Sequence, residues 1–454
     1  MRKTAHSILI TGFCIMLNPA WADNQQLNEI EALRAEMAAL KSDYQVRIED
    51  LERRLAAAEQ QLNQADQSPG QSNAARPANR LASRQAGSDN AFNPAIGVIF
   101  QAQAWDYQRD PDDYRIDGFP LGGEAGPVAE GLSLGETEID ISANVDDKFT
   151  AWLTAPIVLE DGETIIEIEE AWIETLALPA GISARMGRFF SAIGYLNDKH
   201  SHRWDFVDQP LAYQAFLGNQ YIDDGVQLRW LAPTDLYFEL GGEIVRGDRY
   251  PAGGAAHSGI GAYSMFATLG GDVGLSHSWQ AGLSYLNTDN IDRQSGSEDE
   301  PVSFTGDSDL ALAELVWKWA PNGNSRQRNF KLQAEYLWRT ENGLYTLADS
   351  PGQHYDADQQ GWYIQAVYQP FPQWRFGGRF DRLSTDDPGR LFDGTPLAAP
   401  ADDPQRYSLM LDWSNSEFSR VRFQYTRDEA ADRNENQWGL QYIYSIGAHG
   451  AHSF

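Results

Sequence analysis

The chain has a single cysteine, Cys14, and no apolar run approaching the roughly 18 residues that a membrane-spanning helix needs. One thiol excludes a disulfide framework and a cysteine-based metal site. Basic residues are scarce as well. Lys and Arg number 35 against 65 Asp and Glu, for a formal net charge of -30. Nucleic acid is excluded as a partner, because phosphate binding needs clustered Lys and Arg. Mean hydropathy is -0.49, which argues against large packed cores, yet aromatics reach 12%. Alternating strands reconcile the two, because they hide membrane-facing residues in a sequence that is polar on average.

Residues 1–22 have the form of a secretory signal. Arg2 and Lys3 precede an apolar run from Ile8 to Leu17, and Ala20-Trp21-Ala22 supplies a small-x-small cleavage pattern. Phe13 before Cys14 does not fit a lipoprotein cleavage site, and cleavage after the signal removes the only thiol.

Residues 23–62 read as a periplasmic coiled coil. Ile30, Leu33, Met37, Leu40 and Tyr44, then Ile48, Leu51, Leu55, Ala58 and Leu62, form a seam at three-four spacing with one stutter. So narrow a seam has to be buried on partner helices, which implies an oligomer, with a homotrimer the expected form. Residues 63–92 are polar, small and punctuated by Gly and Pro, the composition of a flexible linker.

From residue 93 to 454 the period becomes two. "RVRFQYT" (420–426) sets Val421, Phe423 and Tyr425 against Arg420, Arg422 and Gln424, and "NQWGLQYIYSI" (436–446) alternates in the same way. The pattern gives about sixteen strands, among them 134–146 and 163–177. Short turns at 145–148, 178–181, 232–235, 369–373 and 414–417 alternate with long connections at 109–133, 191–221, 288–307, 341–359 and 385–404. Short turns on one side and long loops on the other describe an all-β transmembrane barrel in the outer membrane, in contact with lipid. The terminal Phe454 fits a signal for the barrel-assembly machinery.

The longest connection, 191–221, should lie outside by strand parity. Together with its flanks it holds Phe189, Phe190, Tyr195, Trp204, Phe206, Tyr213, Phe216 and Tyr221, too many rings for water. Folding inward would bury them and leave Asp198, Lys199, His200, His202, Arg203 and Asp205 as a constriction in the lumen. His200-x-His202 is also a candidate metal pair, since imidazole suits zinc, with Asp198 or Asp205 to complete a shell. His449 and His452 form a weaker candidate. Parity turns Glu136, Glu138, Asp140, Glu167 and Glu169 inward, and on other wall sectors Arg185, Arg375, Arg379, Arg420 and Arg422. Opposed charges would set a field across a channel and select among polar solutes. No Ser-His-acid grouping stands out, and Ser201 between two histidines has the wrong spacing for a nucleophile and its base. The chain is expected not to be an enzyme and to need no cofactor.

About sixteen strands with an inward third outer loop resemble a porin. The preceding coiled coil resembles the trimeric phosphate-selective and dicarboxylate-channel porins, which implies passive diffusion of small polar solutes or ions. The run "GYLNDKHSHRWDFVDQPLAYQAFLG" and the end "GAHGAHSF" are similar to proteins labelled zinc-regulated TonB-dependent outer-membrane receptors. That second resemblance implies zinc as solute and TonB as partner. Such receptors close a barrel of about 22 strands with a folded plug, whereas residues 23–92 read as coiled coil and linker. A structural or adhesive barrel is the remaining alternative.

Overall fold

The computed structural model describes residues 94–447, apart from 161–162, 255–258, 298, 348–349 and 433. The expected signal (1–22), coiled coil (23–62) and linker (63–92) lie outside the described residues, as do His449, His452 and Phe454.

The strands are β1 (Ala95–Tyr107), β2 (Gly131–Leu134), β3 (Thr137–Asn144), β4 (Phe149–Glu160), β5 (Glu163–Ile166), β6 (Glu170–Thr175), β7 (Ile182–Phe190), β8 (Ile222–Leu231) and β9 (Tyr237–Val245). They continue as β10 (Ala262–Val273), β11 (His277–Gly296), β12 (Pro301–Trp319), β13 (Asn329–Leu347), β14 (Gln353–Phe371), β15 (Trp374–Thr385), β16 (Gln405–Ser416), β17 (Ser419–Glu429) and β18 (Glu435–Gly447). All pairings are antiparallel, and β18 returns to β1, from Gly97 opposite Gly447 to Tyr107 opposite Gln437. β2 and β3 both pair with β1, and β5 and β6 both pair with β4. Eighteen segments therefore make a closed barrel of sixteen staves. Closure leaves no open edge in lipid.

The alternation is inverted relative to a soluble sheet. On β18, Gln437, Gln441 and Ser445 are buried, while Trp438, Leu440, Tyr442, Tyr444 and Ile446 are exposed. The same holds on β17, where Arg422 and Gln424 are buried and Phe423 is exposed. Leu228, Leu269, Leu283, Leu315, Ile364 and Leu409 continue the outward apolar belt. Trp230, Tyr237, Phe371, Trp374, Trp413 and Phe418 sit toward the short-turn end, and Tyr263, Tyr285, Trp338, Tyr407 and Trp438 toward the other. Two aromatic rows around an apolar band suit a bilayer with its two interfaces.

Two expected long loops are not loops. Residues 288–307 and 341–359 mostly continue the staves, so that β11 to β14 run 19 or 20 residues each. The reason is side-chain packing beyond the membrane. Val302, Phe304, Tyr345, Tyr355 and Ala357 alternate inward and pack on Phe392 and Leu397 of the 386–404 connection. The Asp and Gly content of those stretches sits on their solvent face. The stave expected at 163–177 is also interrupted: Ile157 pairs with Ile166 but Thr154 with Glu170, a slip of one residue. Glu167, expected on the inward face, lies in that interruption and is exposed.

The belt makes a depth-dependent expectation. Leu283 is 67% exposed near the middle of β11. Leu283→Arg should destabilise the barrel in a bilayer by about 2 to 4 kcal/mol. Urea unfolding of vesicle-inserted protein measures it, and an unchanged midpoint would remove that face from lipid.

Candidate functional site

Connection 191–221 is folded inside the barrel, and it is anchored by the wall's own charges. It leaves β7 at Phe190, forms a single turn at Ser201–Arg203, and then a two-turn helix α1 (Leu211–Leu217) before β8. Every residue of α1 is buried. The helix ends at Gly218 with φ 62, the left-handed conformation that a glycine takes without steric cost. It packs where the wall has no side chain: a Cβ on Gly361 of β14 would meet Ala212 Cβ and a Phe216 ring carbon, each at 2.9 Å. Phe189, Phe190, Phe206, Tyr213, Phe216 and Tyr221 are all buried, and Tyr195 and Trp204 are partly so. Each buried ring contributes roughly 1.5 to 3 kcal/mol.

The polar anchors go around the lumen. On β9, Glu243 accepts from the Ala192 N–H at 2.8 Å, and on β11 Ser284 accepts from Gly194 N–H at 3.2 Å. On β13, Glu335 accepts from the Tyr195 N–H at 3.0 Å and from the Tyr213 hydroxyl at 2.8 Å. Asp205 pairs with Lys331 of β13 and with Arg375 of β15 at 3.1 Å, and accepts from Gln365 of β14. Asp208 pairs with Arg379 at 3.0 Å and with Arg406 at 2.8 Å. Arg420 and Arg422 donate to the carbonyls of His202 at 2.7 Å and Trp204 at 2.8 Å. On β1, Gln101 donates to Ser201 at 2.8 Å.

The histidines meet a second sector. His202 Nδ1 lies 3.0 Å from Glu138 Oε1, and His200 Nε2 lies 3.0 Å from Glu170 Oε2. The two rings stack with centroids 5.6 Å apart, and Phe190 stands edge-on to His200. Burial opposes a charge on His200. The carboxylates of Glu138, Glu169 and Glu170 outweigh it and hold the imidazole pKa well above its ordinary value.

Other expected residues distribute as follows. Asp140 is buried and accepts from Thr154 at 2.8 Å, and Glu136 is half-buried at the break between β2 and β3. Arg185 pairs with Glu174 at 2.7 Å and lies over the Trp172 ring. Arg375 and Arg422 share Asp412. Neither expected loop acid joins the histidines: Asp198 is exposed and pairs with Lys199 at 2.9 Å, while Asp205 is taken by the basic sector. Arg203 is exposed. The wall, not the loop, supplies the acids around His200. Glu170, Asp208, Lys331, Glu335 and Arg406 were missing from the expected site. Strand parity marks Arg406 and Lys331 as inward. Glu170 is hidden by the one-residue slip, and Asp208 carries no local signal.

No family model matches the sequence. An uncharacterized protein of Aquifex aeolicus (strain VF5) is 29% identical over 392 residues, 81% of each chain. Among solved structures, the outer membrane channel DcaP of Acinetobacter baumannii superimposes with a TM-score of 0.50 at 12% identity, over 78% of this chain and 97% of that one. An anion-selective porin from Comamonas acidovorans gives 0.49 at 9% identity, over 78% and 100%. The protein has the fold of an outer-membrane β-barrel of sixteen antiparallel strands, the architecture of the porins.

Two expectations follow from the anchors. Asp205→Ala removes the ion-pair partner of buried Lys331 and one of the two of Arg375, which keeps Asp412, and should destabilise the docked loop by about 3 to 5 kcal/mol. The loss is read as faster protease cleavage within 191–221. Acid acts through the same residue. Burial pushes the Asp205 carboxyl up, but Lys331 and Arg375 outweigh it and hold the pKa at about 2. Its ordinary value is about 3.9, so its stabilisation is present above that pH and is lost as pH falls through about 2. Pepsin should therefore spare the loop at about pH 4 and cut it near pH 2. Equal cleavage at both would exclude Asp205 as an anchor.

Proposed function

We propose that this protein is a porin-like channel through which small polar solutes and ions diffuse across the outer membrane, constricted by loop 191–221. The observation that carries the reading is the loop's position inside a closed barrel whose inner face is charged. A soluble partner-binding barrel has no use for polar residues on its inner wall with apolar residues outside. The lumen is divided electrically. Glu138, Glu169, Glu170 and Asp140 lie on the β3–β6 sector, and Lys331, Arg375, Arg379, Arg406 and Arg422 on the β13–β17 sector. Such a transverse field orders water and discriminates among polar solutes by charge distribution. Asp198 and Arg203, the loop's exposed charges, are the groups a passing solute would meet. The reading is non-enzymatic. The Ser201 hydroxyl donates to Glu138 at 3.4 Å and accepts from Gln101 at 2.8 Å.

Reconstituted protein should conduct ions in a planar bilayer with no other protein present. Replacing 195–209 by a short Gly-Ser linker should raise single-channel conductance. No conductance, combined with solute uptake that collapses on deleting TonB, would favour an energy-coupled receptor instead.

The same reading includes a homotrimer that buries the β6–β8 face. On the outward side Arg188 pairs with Asp224 at 2.8 Å, beside a hollow lined by Ile168, Ala171, Met186 and Val226. A charge pair facing lipid is costly, whereas a neighbouring protomer can solvate it. Ala171→Trp should convert the oligomer in mild detergent to monomer, as read by native mass measurement. An intact oligomer would put the contact elsewhere.

A further inference from the structure

We propose that Glu138, Glu169 and His200 bind a divalent transition-metal cation of the zinc type, at the joint between loop and wall. The three come from separate elements: β3, the residue preceding β6, and the loop. One ligand atom from each lies within 4.8 Å of the others. His200 Nδ1 is 3.1 Å from Glu169 Oε2 and 3.4 Å from Glu138 Oε2. Two donors held at about 2.0 to 2.1 Å from a tetrahedral ion lie about 3.3 Å apart, which the two separations from His200 Nδ1 match.

Beyond the ion-pair contacts with His200, hydrogen bonding does not account for the same carboxylate oxygens. Glu138 is fully buried, yet its Oε2 makes no hydrogen bond to any described residue; neither does buried Glu169 Oε2 nor His200 Nδ1. Such atoms are costly inside a protein unless something positive lies between them. The opposite side of the ring is already engaged. With Nε2 engaged by Glu170 at 3.0 Å, Nδ1 faces the two carboxylate oxygens, and a metal ion would take the place of the proton that Nδ1 otherwise carries between them. A carboxylate behind the distal nitrogen of a ligating histidine is also the usual way to fix its tautomer and raise its basicity. Imidazole with carboxylates suits zinc over calcium or magnesium, which take oxygen almost exclusively. Bound there, the ion would tie the loop to the wall and neutralise the acidic sector.

The inference concerns binding and stands whether or not the lumen conducts. Full-length protein in detergent, stripped with a chelator, is titrated with Zn²⁺ against a chromophoric competitor. Co²⁺ serves as a second probe for the absorption of a tetrahedral site. The expected result is one saturable zinc per chain, with affinity lowered by about tenfold or more in Glu169→Gln and His200→Ala. Both variants should lose the cobalt band. A His449→Ala/His452→Ala variant, distant in sequence from these ligands, should keep both. Heat-modifiable migration on gels establishes that each variant is a folded barrel, and the partly exposed Glu169 carries the test if His200→Ala does not fold. Absence of saturable binding at millimolar zinc would overturn the proposal and leave a protonated His200 among the carboxylates. Binding that survives both substitutions, or that is lost only in the His449/His452 variant, would overturn it equally.

Discussion

Two aspartates of one loop neutralise much of the positive charge on the β13–β16 wall. Asp205 takes Lys331 and Arg375, and Asp208 takes Arg379 and Arg406. These cations project inward, where the loop's aspartates add to the wall's own Asp412, Asp381 and Asp428 in pairing Arg375, Arg379 and Arg406, and supply the ion pair of Lys331. The loop cannot leave the barrel without exposing its rings to water. Charge and apolar area therefore act in the same direction. The aromatic residues supply the drive inward, and the ion pairs fix which way round the loop sits. Pairs as enclosed as these are screened little by salt, so the arrangement tolerates a wide range of ionic strength.

The opposite side of the lumen is organised differently. There the wall is acidic and the loop brings imidazoles instead of carboxylates. The result is a lumen in which each sector is matched by a complementary part of one segment. Residues 205–208 meet the basic wall and residues 200–202 the acidic one. A scrambled order of these short stretches would put like charges together, so the loop's register is specified as tightly as that of a strand.

Much of this was legible in the sequence because a barrel stave carries its orientation in a two-residue period. That period identified the inward faces of Glu138, Asp140, Arg375, Arg379, Arg420 and Arg422, and the aromatic density of 191–221 pointed to a buried loop. What failed did so where the period breaks. A single extra residue between Ile166 and Glu170 brought Glu170 opposite buried Thr154, and no local residue type announces such a slip. The 288–307 and 341–359 stretches look like loops because they are rich in Asp, Gly and Ser. They stay paired because their inward residues find Phe392 and Leu397, which are distant in sequence. The partners of His200 were out of reach for the same reason: Glu138 and Glu170 are separated from it by whole strands.

Chain order gives the closed register of β1 against β18 a further consequence. The loop at 191–221 is made well before the strands that hold it, and Arg375, Arg379, Arg406 and Arg422 follow it by about 170 to 220 positions. Until those strands arrive, Asp208 has no counter-charge, Asp205 has only Lys331, and the rings have no completed cavity. Threading the loop in after β18 had sealed against β1 would mean dragging charged groups through a finished wall. The loop must therefore be enclosed while the sheet is still an open curl, which makes the insertion of the last strands the commitment step for the interior as well as for the wall.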